Sequence, residues 1–444
     1  MIMSILANLC VRTLAALDKK SRFRLFDSIC DSLQRPPDVV WADHLRALRS
    51  ILEHAATQTP GYRSRFDAAG FHPQQLQSPA DLKRLPVITK AELQTHRDAY
   101  VAINIDPAHC QKKSTSGSSG TPFTFYRDWQ YIELGQAGTM RALAVAGWQP
   151  GDGLAVLWGY EKEVENAVNR FKQWSKQTFL LNAFRQTDAS MTQWVTFLKR
   201  HRLKYLYGYP SSLNQLAEFV IRAGHSLPMQ AVFCTAEKYF DFERHNIEQA
   251  FACKSYDLYG SSEVQNIAFE CPRRRMHVAL DFVSLDQEQL HPGEPLSLVV
   301  TSLHNRIQPF IRYDLGDYGR LVPESCDCGI HTPLMEILGG SKYDFLLTPA
   351  GPLHSAVLER IFNKITAIRR YQIVQHDLRT YTIRCELEDA ATGTTRQQIE
   401  TTAQQVLREI IQEPPTIQFE YPQVITPGPN GKYRFIYRDP APRC

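Results

Sequence analysis

The chain has 444 residues, 43% of them hydrophobic and 22% charged, with a formal net charge of +4. That length and balance describe a folded protein of more than one domain. They exclude a disordered chain and a basic nucleic-acid binder, and Arg273-Arg274-Arg275 reads as a solvated turn.

No run of 18 apolar residues is present, so no membrane span is expected. Met1–Leu17 is interrupted by Arg12 and lacks a small-residue cleavage site, which argues against a secretory leader. The ten cysteines have no framework spacing and read as reduced thiols in a cytoplasmic protein.

Residues 1–100 read as a helical leader, with apolar Leu45, Leu48, Ile51 and Leu52 at helical spacing and Pro86 dividing Leu82–Gln94. Strand patterns at Leu154–Trp158, Leu203–Tyr207, Ala231–Cys234 and Ser255–Tyr259 then alternate with helices at Met191–His201, Ser211–Ala223 and Asp241–Phe251. This alternation predicts an α/β body with a parallel sheet, whose ligands sit beyond the carboxyl ends of the strands.

Between 278 and 335 the pattern turns to strands and turns (Val278–Leu285, Leu296–Ser302, Tyr318–Val322), expected as a β-rich subdomain. Gly339-Gly340-Ser341-Lys342 reads as a hinge. Helices at Val357–Ile365 and Thr395–Ile411 and strands at Arg370–Gln375, Tyr381–Glu386 and Thr416–Tyr421 follow. The expected division is a large domain, 1–338, and a small mobile α+β lid, 339–444.

Four stretches carry chemistry. In Ser114–Pro122, eight of nine residues are Ser, Thr or Gly. Glycines allow close backbone approach, and successive N–H groups with hydroxyls bind phosphate oxygens. The loop lacks the Lys of a P-loop and the spacing of a dinucleotide fingerprint.

In Asp257-Leu258-Tyr259-Gly260-Ser261-Ser262-Glu263 a strand-end Tyr can stack on a base and a Glu can hold Mg²⁺ against phosphates. In Arg312-Tyr313-Asp314-Leu315-Gly316-Asp317 a carboxylate after a Gly turn can accept two ribose hydroxyls. Gly431-Lys432 places a cation in a Pro/Gly-rich loop.

A separate set, Cys271, His277, Cys326 and Cys328, offers three sulfurs and one imidazole. That is a closed tetrahedral shell for structural Zn²⁺, with reduced thiols beside a surface histidine as the alternative.

Taken in order, these motifs resemble the adenylate-forming superfamily of acyl-CoA synthetases, adenylation domains and luciferases. Its phosphate signature is Thr-Ser-Gly-Ser/Thr-Ser/Thr-Gly-x-Pro. Length, Tyr209-Pro210-Ser211-Ser212-Leu213, Thr235-Ala236-Glu237 and the Cys–His set are similar to the phenylacetate–CoA ligase family over residues 40–440.

The resemblance implies that Ser116, Gly117, Ser118, Ser119, Gly120 and Thr121 hold pyrophosphate. It places Ala236, Glu237, Asp257, Tyr259, Gly260, Ser261 and Ser262 around the nucleotide, Glu263 on Mg²⁺, Asp317 on the ribose and Arg320 nearby. Lys432 would enter the site during adenylation. Three positions depart from the family pattern: Phe123 replaces a Lys, Ser341 an Arg and Tyr343 an Asp, while Asp344 remains.

The implied reaction is ATP-dependent activation of an aryl or hydrophobic acid as acyl-AMP, then transfer to a thiol, coenzyme A first. A carrier-protein thiol or an amine are alternative acceptors, and a non-catalytic adenylate-binding protein is the alternative class. A homodimer stays open. No Gly-x-Ser-x-Gly elbow is present for a serine hydrolase.

Overall fold

The computed structural model describes residues 8–9, 11–13, 21–114, 123–159, 173–174, 176–183, 186–290, 296–339, 345–348, 351–354, 368–387, 393–411, 415–425 and 436–438. The chain forms two compact units. One comprises 1–288, 298–315 and 320–336, and the other 289–297, 316–319 and 337–444.

The strands in chain order are β1 (Gln111–Ser114), β2 (Thr124–Arg127), β3 (Leu154–Trp158), β4 (Thr178–Asn182), β5 (Tyr205–Gly208), β6 (Ala231–Thr235) and β7 (Lys254–Ser261). Then come β8 (Gln265–Glu270), β9 (Met276–Val278), β10 (Val283–Glu288), β11 (Ser297–Ser302), β12 (Tyr313–Val322) and β13 (Leu334–Gly339). Among the described residues, β3 to β13 form an eleven-stranded sheet in the order β10-β11-β12-β13-β9-β8-β7-β6-β5-β3-β4.

The pairs β3–β5, β5–β6 and β6–β7 are parallel, as the alternating pattern predicts, and β4, which the pattern did not mark, joins β3 in parallel. Parallel strands need helical crossovers, and helices Asp188–Arg200, Pro210–Arg222 and Asp241–Phe251 supply them. Their apolar stripes pack on the sheet through Val195, Leu198, Leu213, Leu216, Ile247 and Phe251, against Leu157, Leu206 and Val232. Leu213 and Leu216 are fully buried, so truncating either to Ala costs about 3 kcal/mol.

From β7 onward the pairing turns antiparallel, with β7–β8, β8–β9 and β9–β13 in succession. The strand-rich stretch after 276 therefore runs on in the same sheet. The strand expected over Val278–Leu285 is two strands, because the backbone turns at Ala279–Phe282 (Phe282 N to Ala279 O, 2.8 Å). Tyr313–Val322 is one long strand where a turn was expected, and Gly316 sits in it at φ +76°.

Helix Pro37–Gln58 carries the predicted leader pattern, and the 3₁₀ turn Pro79–Arg84 and helix Lys90–Thr95 stand either side of Pro86. Beyond Pro86, Ile88 pairs with Tyr313 in parallel. Helix Trp129–Val145 begins at Asp128, whose Oδ1 accepts from Tyr131 N at 2.8 Å.

In the second unit β14 (Phe345–Thr348) pairs with β15 (Gly351–His354). The strands β16 (Ile368–Gln375), β17 (Thr380–Leu387), β18 (Thr416–Glu420) and β19 (Ile436–Arg438) form a four-stranded sheet ordered β18-β17-β16-β19. Helix Gly393–Ile411 lays Ile399, Ala403 and Leu407, at four-residue spacing, on Tyr371, Ile373, Tyr381 and Ile383. The helix expected at Val357–Ile365 lies outside the described residues. Among the described residues no helix is long and apolar enough to cross a membrane.

Candidate nucleotide and metal sites

The parallel strands β3, β5, β6 and β7 deliver their carboxyl ends to one edge of the sheet. Trp158 ends β3, and its ring lies 4.4 Å from that of Tyr209 and 6.2 Å, stacked, from that of Tyr207. Tyr209 caps the helix that starts at Pro210, and that start presents Ser211 to Glu237 beyond β6. Ser211 donates through both N (3.3 Å) and Oγ (2.7 Å) to Glu237 Oε2. Between β6 and Glu237, Ala236 holds φ +69°, a conformation that costs a non-glycine residue energy and clusters at functional sites.

β7 brings Asp257, Tyr259 and Gly260 to the same edge and turns back into β8. A Cβ on Gly260 would meet Gln265 O at 2.0 Å, so only glycine fits this hairpin. Glu263 sits in the hairpin, 7% exposed. Tyr313 donates to Glu263 Oε1 at 3.4 Å and Tyr131 donates to its carbonyl at 3.3 Å, while Ser302 Oγ donates to Tyr131. Arg127 reaches the neighbouring Ser262 carbonyl at 3.5 Å. Burial pulls the Arg127 guanidinium below the usual arginine range, and Tyr131 and Glu263 raise it back in part. Two of the motifs thus meet at Glu263.

The phosphate-loop segment 115–122 lies outside the described residues, but both its feet are described. Ser114 pairs with Thr124 in the β1–β2 hairpin. Phe123 is fully buried, stacked on Phe125 at 5.6 Å and edge-on to Phe310 at 6.4 Å. Phe310 packs in turn on Tyr313 at 5.2 Å. Phe123 is therefore an apolar anchor and contributes no charge. Lys90 Nζ, which the sequence did not mark, lies 5.7 Å from the Phe123 ring.

Arg312 is 2% exposed at φ +52°. Its guanidinium donates to Asp286 (3.0 Å), Glu288 and Leu85 O (3.0 Å). It fastens β12 to β10 and to the segment before Ile88. Asp317 is half-buried on β12. Arg320 is exposed and ion-paired with Glu336 at 2.6 Å.

Asp257 lies beside Glu270, whose Oε2 accepts from Asp257 N (2.8 Å) and Arg244 (3.0 Å). Burial, with the Glu270 charge second, pushes Asp257 up to about 7. The adjoining residue is Cys271.

Cys271, His277, Cys326 and Cys328 converge, with one ligand atom from each within 4.8 Å of the others. Cys271 Sγ lies 3.7 Å from Cys326 Sγ, and Cys328 Sγ 3.3 Å from His277 Nε2. A tetrahedral zinc shell has sulfur–sulfur edges of about 3.8 Å, whereas a disulfide would bring two sulfurs to about 2.05 Å. Burial lowers His277 to about 4, keeping the imidazole neutral as a ligand must be. Its second nitrogen faces Thr332 Oγ1 at 3.3 Å, an outer partner of the kind that fixes ligating histidines.

Lys432 and the hinge residues Ser341, Tyr343 and Asp344 lie outside the described residues.

No family model matches the chain. In sequence it is 24% identical over 342 residues to a phenylacetate–coenzyme A ligase of Thermus thermophilus, covering 74% of this chain and 76% of that protein. It is 26% identical over 313 residues to the phenylacetate–coenzyme A ligase of Escherichia coli, 65% and 70% of the two chains. Protein CapK of Staphylococcus aureus is 23% identical over 255 residues, 54% of each.

A 2-hydroxyisobutyryl-CoA ligase crystallised with an acyl-AMP superposes with a TM-score of 0.74 at 19% identity, over 92% of this chain and 91% of that one. An anthranilate–CoA ligase with anthranoyl-AMP gives 0.51 at 12% identity, over 74% and 67%. The chain is thus similar in sequence to phenylacetate–CoA ligases and shares its fold with the superposed CoA-ligase structures.

Proposed function

We propose that this chain is an ATP-dependent, AMP-forming carboxylate ligase that activates an aryl or hydrophobic acid as acyl-AMP and passes it to coenzyme A. The observation that carries the reading is the junction at Glu263. There the β7–β8 motif, the β12 motif and, through Phe123 and Phe310, the foot of the phosphate loop meet at the carboxyl edge of a parallel sheet. The relatives and superposed structures named above support it.

In this reading the substrate carboxylate attacks the α-phosphorus of ATP and pyrophosphate leaves. Loop residues 116–121 donate to the leaving pyrophosphate, with Lys90 a nearby cation. Tyr259 stacks on the adenine, and Ala236, Glu237 and Asp257 line its edge. Asp317 accepts the ribose hydroxyls, with Arg320 beside it on β12. Lys432 stabilises the charge that grows on the α-phosphate.

Glu263, oriented by Tyr313, would hold Mg²⁺, which supplies neutralisation of the polyphosphate. The Trp158–Tyr207–Tyr209 stack suits a flat or apolar acyl group. The thiol of coenzyme A then attacks the acyl carbonyl and AMP leaves. Residues 339–444 serve as a lid that turns near Ser341–Asp344 between the two steps.

Cys271, His277, Cys326 and Cys328 hold a structural Zn²⁺, their four donors leaving no place for a water ligand. None of the eight cysteines among the described residues is in a disulfide, which suits a reducing cytoplasm. Acid-dependent ATP–pyrophosphate exchange tests the proposal. Exchange with an aryl or aliphatic acid supports it, and none with any acid across a panel removes it.

A further inference from the structure

We infer that Asn305 and Gln308 are positioning residues that anchor the phosphate-loop hairpin, a role that bears on MgATP only through the adenylation reading above. The hairpin β1–β2 is a sheet of two strands on its own. Such a hairpin is marginal in water, so something outside it must set where its tip points.

Gln308 Oε1 accepts from Tyr126 N at 2.9 Å, and Asn305 Nδ2 donates to Tyr126 O at 2.9 Å. Both backbone groups of one β2 residue, two positions past Thr124, are thus taken by side chains of the β11–β12 connection. The grip continues one step on, where Arg306 N donates to Asp128 Oδ2 at 3.1 Å.

The connection itself is held from behind. Asn305 Nδ2 also braces Gln308 O at 2.9 Å. His54 Nε2 meets Arg306 O at 2.8 Å and Ala102 N donates to Ile307 O at 2.8 Å. Tyr62 donates to Pro309 O and accepts from Ile311 N, each at 3.0 Å. The leader helices therefore fix the connection, and the connection fixes the hairpin.

Asn305 and Gln308 are fully buried, and Asn305 Oδ1 and Gln308 Nε2 find no partner among the described residues. Burying an unmade hydrogen bond is unfavourable, and an apolar pair here would avoid it. The two amides stand where the backbone of Tyr126 needs one acceptor and one donor. The same connection leads through Phe310 into Tyr313 and so to Glu263, which sets the loop foot and the proposed metal carboxylate from one segment.

The test compares the full-length protein with Gln308→Met and Asn305→Leu by calorimetric titration with MgATP and by hydrogen–deuterium exchange without ligand. Gln308→Met removes the acceptor for Tyr126 N and Asn305→Leu removes the donor to Tyr126 O, each at similar volume and without burying a charge. The expected result is two folded variants with faster exchange confined to residues 111–114 and 124–127. MgATP affinity is weakened about tenfold in each. Unchanged exchange in the hairpin, or a rise spread evenly over the chain, would overturn the anchor. If the unmodified protein does not bind MgATP, the adenylation reading fails and the exchange pattern still decides the anchor by itself.

Discussion

Tyr313 donates a hydrogen bond to Glu263 across fifty positions of sequence, at 3.4 Å between Oη and Oε1. Glu263 stands in the hairpin after β7 and Tyr313 opens β12, so this contact couples the segment proposed to bind metal to the segment proposed to bind ribose. Tyr313→Phe keeps the ring against Phe310 and removes the donor. The expected outcome is a KM for MgATP raised about three- to tenfold with little change in the KM for the acid. Initial rates at varied MgATP check it, and an unchanged KM would separate Tyr313 from the metal carboxylate.

The family resemblance invites restoring a lysine at Phe123. The structure predicts harm from doing so, because position 123 is fully buried between Phe125 and Phe310. Phe123→Lys places an unpaired ammonium there and should destabilise the protein by about 4 kcal/mol or more. Urea unfolding measures this, and a fully stable variant would mean that the side chain escapes to solvent toward the loop.

Metal analysis of protein purified without chelator should find one zinc per chain. Cys328→Ser should abolish its retention and lower the unfolding temperature by several degrees or more, since structural zinc contributes folding energy outright. Stoichiometric retention in the variant would remove Cys328 from the ligand set.

Asp257 is pushed up to about 7 by burial. A carboxyl whose folded value exceeds its unfolded value favours the folded state at low pH, and that contribution is lost as pH rises through the folded value. The stability of the native protein relative to Asp257→Asn should therefore fall between pH 5 and pH 8. Paired urea melts at the two pH values read this difference, and a constant difference contradicts the assignment.

The strands β3, β5, β6 and β7 of the parallel half could be read from the chain because they alternate with amphipathic helices, whereas β4 (Thr178–Asn182) was not marked. Asp241–Phe251 and Leu154–Trp158 fall where the pattern puts them. The antiparallel half was harder. Strand β12 carries Gly316 at positive φ and the polar Asp314 and Asp317, residues whose local preference is for turns. Tertiary pairing overrides that preference, with Ile88 bridging Tyr313.

The candidate residues that side-chain type marks in the sequence include Glu263 and the Cys–His set, and the structure brings the four donors of that set within 4.8 Å of one another. The supports were not visible. Asn305, Gln308 and Lys90 act through contacts between residues far apart in sequence, and no local pattern announces them; Arg312 stands in a marked motif, but its grip on Asp286, Glu288 and Leu85 is equally non-local. Phe123 shows the reverse case, a position marked as a missing charge whose role is packing.

The most direct test of the central claim is ATP–pyrophosphate exchange with a panel of aryl and aliphatic acids, run on the native protein and on Glu263→Ala and Lys432→Ala. The account predicts exchange that requires one class of acid and falls about a hundredfold or more in each variant. An absence of exchange with every acid, or exchange that survives both substitutions, would contradict it.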